Sequence, residues 1–122
     1  MKKLKLIYNP MAGNKEFPNR LDQCIKKLQA GNYQVSVFRS AQPGDLSLGL
    51  TDLSSDYDAV VVAGGDGSIN KIINALLARN LDIPLGIIPA GTANDFAHQL
   101  NIPSTLEEAV DVILEEKIET VD

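Results

Sequence analysis

Residues Val60 to Asn70 read VVVAGGDGSIN. The apolar run from Ala59 to Ala63 leads straight into two glycines, an aspartate, a third glycine and a serine. A helical pattern then takes over, with Ile69, Ile72, Ile73, Leu76 and Leu77 at i, i+3, i+4, i+7 and i+8. The order is strand, glycine-rich turn, helix. A continuous apolar run bounded by turn residues suits a strand covered on both faces of a parallel sheet. Glycines at such a junction let backbone N–H groups come close to a phosphate, and the dipole of the following helix favours negative charge there. Asp66 adds a carboxylate that a bare phosphate would repel, so it implies a bridging cation or a proton-transfer role.

The rest of the composition bounds what such a turn can serve. A chain of 122 residues has the length of one domain, enough to bury roughly two-thirds of its unfolded surface. Eleven basic against sixteen acidic residues give a formal charge of -5, and the short Lys2, Lys3, Lys5 cluster is the densest basic stretch. Neither nucleic-acid binding nor membrane attachment through a basic patch is indicated. Cys24 is the single cysteine, which excludes an intrachain disulfide and fits a reducing, cytoplasmic setting. Its place among Leu21, Ile25 and Leu28 reads as core. No run is long enough to span a bilayer, and the basic N-terminus leads into a strand-length segment rather than a signal sequence. An apolar alternation restarts near Lys117 and is still running at Glu119–Asp122, the pattern of a longer protein.

Around the central turn, strands and helices alternate. Leu4–Asn9 is a strand; Pro10–Asn19 is turn-rich and reads as irregular. A helix over Arg20–Ala30 is closed by Gly31-Asn32, and Tyr33–Arg39 alternates apolar and polar as a strand does. Gln42-Pro43-Gly44-Asp45 is a turn, with Asp45 placed to cap a short helix reaching Leu53. After the central strand and helix, Ile83–Ile88 is a further buried strand, followed by a second glycine-containing junction, Pro89–Asp95, and a helix over Phe96–Leu100. Ser104 and Glu107 have capping-box spacing before the amphipathic set Leu106, Ala109, Val110, Ile113 and Leu114. The expected fold is α/β, a three-layer sandwich on a mostly parallel sheet. Ligands bind such sheets beyond the carboxyl ends of the strands, where the loops Asn9–Lys15, Gly64–Asn70 and Ala90–Asp95 all fall.

Each candidate has a plainer reading beside the functional one. Gly64, Gly65 and Gly67 can form nothing more than a tight turn, and the pattern matches neither the dinucleotide fingerprint nor the Walker loop. Asp66 between them has no obvious packing role. Ser68 reads as an N-cap or as a hydroxyl for phosphate. Thr92, Asn94 and Asp95 exceed what one helix cap needs. Lys15 is either a solvated loop charge or a cation within reach of phosphate, and His98, the single histidine, reads as a surface residue. No Cys/His cluster supports a zinc site.

Three segments together resemble the diacylglycerol kinase catalytic domain family, which includes bacterial soluble lipid kinases related to sphingosine kinases. They are YNPMAG at Tyr8–Gly13, GGDGSIN at Gly64–Asn70 and PAGTANDFA at Pro89–Ala97, followed by Leu100 and Ile102-Pro103. The resemblance covers essentially the whole chain in the same order. GGDG alone is shared with NAD kinases and phosphofructokinases, and implies their type of nucleotide-binding fold; the later GTANDFA is far more specific. The resemblance implies transfer of the ATP γ-phosphate to a lipid hydroxyl, with ATP and Mg2+ as cofactors. It places the nucleotide against Gly64, Gly65, Asp66, Gly67, Ser68 and Asn70, held also by Asn9, Pro10, Gly13, Thr92, Asn94, Asp95 and Ser40. Asp66 would organise Mg2+ and water at the phosphates or assist deprotonation. Three positions depart from the family pattern. Lys71 stands where a glutamate is usual, reversing the charge; Ala75 replaces a glycine and His98 an arginine. The family also carries a second, β-rich lipid-binding domain that begins about where residue 122 falls. Residues 1–122 are therefore expected to be an N-terminal ATP-binding domain, inactive alone, from a cytoplasmic enzyme that touches membrane peripherally and possesses relatives that dimerise. A soluble-metabolite kinase of the NAD kinase type and a non-catalytic nucleotide-binding module are the competing readings.

Overall fold

In a computed structural model, Lys2–Tyr8 (β1), Tyr33–Arg39 (β2), Ala59–Gly64 (β3) and Leu85–Pro89 (β4) form one four-stranded sheet in the order β2-β1-β3-β4, parallel throughout. The structure describes residues 1–13, 15–42, 44–54, 56–90, 99, 102–103 and 105–115. The helices Phe17–Ala30 (α1), Asp66–Ala78 (α2) and Leu106–Leu114 (α3) and a short 3-10 helix at Leu46–Leu50 complete the described elements.

The sheet is covered on both sides, as its apolar strands require. Leu4, Leu6, Tyr8, Val61 and Ile88 pack on one face against Cys24 and Leu28 of α1 and Val110 and Ile113 of α3. On the other face Ile7, Val60, Val62 and Ile87 meet Ile69, Ile72, Ile73 and Leu76 of α2 with Leu46 and Leu50 of the 3-10 helix. Three layers result, and each fully buried aliphatic side chain contributes about 1.5–3 kcal/mol through removal from water. Cys24 is wholly buried, and that burial pushes its thiol pKa up to about 11, with Lys27 opposing the shift. It is a core residue rather than a reactive thiol.

Several expectations shift on contact with the structure. α1 begins at Phe17 rather than Arg20, because Pro18 is tolerated in a first turn, where its missing N–H leaves no helical bond unmade; the supposed irregular stretch therefore ends three residues early. The left-handed residue after α1 is Asn32 (φ 72°), while Gly31 stays at φ -84°. The helix after Asp45 is a single 3-10 segment ending at Leu50, not Leu53. Leu77 is 48% exposed; eight residues past Ile69, at about 100° per residue, it has rotated off the apolar stripe. β4 is displaced toward its carboxyl end, with Ile83 and Pro84 ahead of it. The cap of α3 is Thr105 with Glu108, not Ser104 with Glu107: Thr105 Oγ1 accepts from the Glu108 N–H at 3.3 Å. Ser104, the proposed helix at Phe96–Leu100 apart from helical Gln99, and the strand near Lys117 lie outside the described residues.

Candidate functional site

The order β2-β1-β3-β4 creates a switch point. From β1 the chain steps outward to β2, then returns across β1 to place β3 on its other side. α1 and α2 consequently leave the neighbouring strands β1 and β3 on opposite faces of the sheet. A crevice at the carboxyl ends is the geometric consequence, and it is where such sheets receive ligands. A cleft of about 420 Å³ opens there, lined by the loop after β1, the loop after β2 and the first turns of α2, within the usual range for small-molecule sites.

The β1 loop is shaped by its own polar groups. Asn9 Oδ1 accepts from the Met11 N–H at 2.9 Å and the Asn9 carbonyl accepts from the Ala12 N–H at 3.1 Å, an Asx turn that orients the chain just past the strand. Behind it the rings of Tyr8 and Phe17 lie 5.3 Å apart, fastening the end of β1 to the start of α1. Gly13 (φ 55°) and Lys15 (φ 62°) adopt left-handed backbone conformations and are exposed.

The loop after β2 is held from inside by Asp45. The Ser40 N–H extends the ladder by donating to the Tyr8 carbonyl at 2.9 Å. The Ser40 hydroxyl donates to Asp45 Oδ1 at 2.5 Å, and the Ala41 and Gln42 N–H groups donate to Oδ2 at 2.9 and 3.2 Å. These bonds favour the ionised carboxylate: the Ser40 hydroxyl first, then the Ala41 amide, hold Asp45 below the usual carboxylate range. The side chain expected to cap the following helix makes no cap bond and stabilises the site loop instead.

At the centre, the glycine-rich sequence is not an extended loop. Gly65 is the N-cap residue of α2 and contributes no side-chain cap, while Asp66, Gly67 and Ser68 already form the first helical turn. Ser68 is thus inside the helix rather than its cap. Gly64 is required sterically: a Cβ there would lie 2.7 Å from Ser68 Cβ and 2.9 Å from its Oγ. At Gly67 an added Cβ meets nothing within 4 Å, so the protein leaves that space open on the cleft side. The Ala90 N–H donates to the Gly64 carbonyl at 2.9 Å, setting the start of the β4 loop beside this junction.

Of the residues singled out from sequence, Asn9, Pro10, Ser40, Gly67 and Ser68 line the cleft together. Gly64, Gly65 and half-buried Asp66 lie at the junction behind it, while Asn70 and Gly13 are exposed beside it without lining it. Thr92, Asn94, Asp95 and His98 lie outside the described residues. Arg39 and Gln42 belong to the cleft but were not singled out, although the rule of carboxyl-end loops applies to β2 as much as to its neighbours. Among the described residues, no group of three or more His, Cys, Asp or Glu could cage a metal. No described helix is long and apolar enough to cross a membrane.

The sequence profile of the diacylglycerol kinase catalytic domain matches residues 3–122. A diacylglycerol kinase of Staphylococcus haemolyticus (strain JCSC1435) is 38% identical over 119 residues, covering 97% of this chain and 36% of that relative. One from Staphylococcus aureus (strain MRSA252) is 35% identical over 122 residues, covering 99% of this chain and 39% of its own length. The crystal structure of a diacylglycerol kinase from Bacillus anthracis str. Sterne superposes with a TM-score of 0.83 at 31% identity, over 94% of this chain and 40% of that one. The chain therefore spans about two-fifths of the length of these relatives.

Proposed function

The chain belongs to the diacylglycerol kinase catalytic domain family, and from that footing we propose that it is the ATP-binding domain of a lipid kinase transferring the γ-phosphate of ATP to a lipid hydroxyl. The observation that carries this reading is the junction of β3 with α2. Gly64 admits the helix close to the strand, Gly67 leaves open space, and Asn9, Ser40 and Ser68 surround that space with polar groups. A phosphate chain fits such a cradle, because amides, hydroxyls and the helix dipole all favour it. Phosphoryl transfer requires mainly positioning and charge neutralisation, which this arrangement is suited to supply.

Asp66, the first residue of α2, is the candidate catalytic carboxylate. Mg2+ is ordinarily held by one or two carboxylates together with substrate phosphates rather than by a protein cage, and Asp66 beside the open Gly67 fits that donor set. When bound, Mg2+ would neutralise charge on the phosphates. Thr92, Asn94 and Asp95 would complete the nucleotide contacts from the β4 loop. The lipid, and with it peripheral membrane contact at the cytoplasmic side, would be received mainly by the portion of the protein that the chain does not span. On this reading the chain binds nucleotide but does not turn over alone, since transfer requires a closed, water-excluding cleft.

The test is calorimetry of ATP·Mg2+ on this chain and on Asp66→Ala, beside a diacylglycerol phosphorylation assay on the whole protein. Binding that weakens in the variant, with turnover in the whole protein that Asp66→Ala abolishes, is the expected result. Phosphorylation of NAD in place of any lipid would transfer the assignment to a soluble-metabolite kinase. Lys71, a cation in the cleft where relatives of this type are expected to carry an acid, favours one further outcome. Nucleotide binding without turnover of either substrate would identify a non-catalytic binding module.

A further inference from the structure

The described residues lining the cleft include two cations, Arg39 and Lys71, and no carboxylate, on a chain whose net charge is -5. Arg39 ends β2 and Lys71 lies in the second turn of α2, so the two charges reach the same space from separate elements. Both are exposed, and neither has an ion pair or side-chain hydrogen bond among the described residues. Other basic residues are differently placed. Lys5 is held by both oxygens of Asp52 at 2.7 and 2.9 Å, Arg20 is bonded to Glu107, and Lys27 pairs with Asp111 at 2.9 Å. Charges that stabilise the fold have found their acids; the two in the cleft have not.

The local geometry gives Lys71 a particular direction. Gly67 and Ser68 precede it by four and three residues and share its face of α2. Helical side chains lean toward the helix N-terminus, and on that side of Lys71 the space at Gly67 is open, since a Cβ added there would meet no atom within 4 Å. On the loop after β2, the Asp45 carboxylate is already bonded by Ser40, Ala41 and Gln42.

We infer that Arg39 and Lys71 form a two-sided cation clamp that grips the polyphosphate of the nucleotide directly, so that this site keeps affinity for a triphosphate chain when the divalent metal is removed. The inference rests on the nucleotide reading of the cleft. Arg39 offers a planar fork to two phosphate oxygens and Lys71 a mobile point charge. Fixed cations of this kind take over part of the neutralisation that a metal ion otherwise provides.

The experiment is titration of this chain with inorganic tripolyphosphate and with ATP, in EDTA and low salt, followed by calorimetry. Wild type should bind both ligands. Arg39→Gln and Lys71→Gln should each weaken both by about tenfold or more, the scale of a lost charge-assisted hydrogen bond. Lys71→Arg should restore most of the affinity, and Lys26→Gln, on exposed α1 surface, should change nothing. Circular dichroism establishes that each variant is folded. If Arg39→Gln and Lys71→Gln bind like wild type, the clamp is overturned while the nucleotide assignment stands. Binding of ATP·Mg2+ but of neither ligand in EDTA also overturns the clamp alone. If tripolyphosphate binding is lost in both variants but wild-type ATP binds no tighter than tripolyphosphate, the clamp holds and the nucleoside part of the reading fails. Failure of wild type to bind either ligand with or without metal ends both.

Discussion

The N-termini of α2 and α3 are built from opposite chemistry. α3 starts at Thr105, whose hydroxyl accepts from the Glu108 N–H and bonds the Glu108 carboxylate at 3.0 Å. Glu107, in the same turn, is bonded to Arg20 of α1, and the Glu107 carbonyl accepts from Lys27 Nζ at 3.2 Å. α2 starts at Gly65, which brings no side-chain cap, and continues through a glycine whose missing Cβ faces open space. α3 caps its Glu108 amide with its own Thr105 side chain and is tied to α1 through Glu107; α2 leaves open space at its start. A helix that begins with Gly-Asp-Gly instead of Thr-Leu-Glu-Glu gives up a side-chain cap at a cost of only about a few tenths of a kcal/mol, because glycine is itself a tolerated N-cap.

The comparison predicts opposite responses to small substitutions. The largest effect on stability is expected at Gly64. Gly64→Ala drives a methyl to within 2.7 Å of Ser68 Cβ, an overpacking that should cost about 1–3 kcal/mol in urea unfolding and weaken nucleotide binding as α2 moves off β3. Because both close atoms belong to Ser68, Gly64→Ala with Ser68→Gly should recover most of the stability. A wild-type urea midpoint for the single variant would show that contact with Ser68 does not select the glycine. At the other terminus, Thr105→Ala should cost about 1 kcal/mol and leave ATP affinity untouched. An affinity loss in a folded Thr105→Ala would mean that the two termini are not independent.

Much of the architecture was legible because it depends on local periodicity. The period of Ile69, Ile72, Ile73 and Leu76 defined α2, and the alternation of YQVSVFR gave β2 at its observed ends. What was not legible depends on distant neighbours. Ser104–Glu107 and Thr105–Glu108 have identical capping spacing, and Arg20, 87 residues away from Glu107, draws that carboxylate aside. Asp45 fits a helix cap until the fold brings Ser40 and two amides against it. Arg39 reads as the polar end of an alternating strand, and only the parallel order of β2 beside β1 turns that end toward the cleft. The candidate glycines, Asp66 and the charge reversal at Lys71 stood out in the sequence; the place of Arg39 in the cleft required the topology.

Gly67→Ala separates stability from binding. The added methyl meets no protein atom, and alanine is favoured over glycine in helices by up to about 1 kcal/mol, less in a first turn. The variant should unfold at equal or slightly higher urea concentration yet bind ATP more weakly, since the methyl enters the ligand's space. Such a trade is the signature of a position kept for function. Unchanged ATP affinity in Gly67→Ala would show that the open space beside α2 is not where the nucleotide lies.

The smallest effect belongs to a third helix start, that of the 3-10 segment, where the cap residue serves a loop. Asp45 has its pKa lowered by the Ser40 hydroxyl and then by the Ala41 amide. A carboxyl group with a depressed folded-state pKa contributes stability that is complete above its unfolded value, near the ordinary 3.8, and is lost as pH falls through the lower folded value. Wild type should therefore lose stability in that acid window more steeply than Asp45→Asn, whose side chain does not titrate, while at neutral pH the variant is the less stable of the two. Because the same bonds shape Ser40, Ala41 and Gln42 along the cleft, Asp45→Asn should also weaken ATP binding modestly at neutral pH. Equal acid slopes for the two proteins would mean that Asp45 holds the loop no more tightly than solvent does. The cleft wall after β2 would then owe its shape to the Ser40–Tyr8 and Asp45–Gln42 backbone bonds.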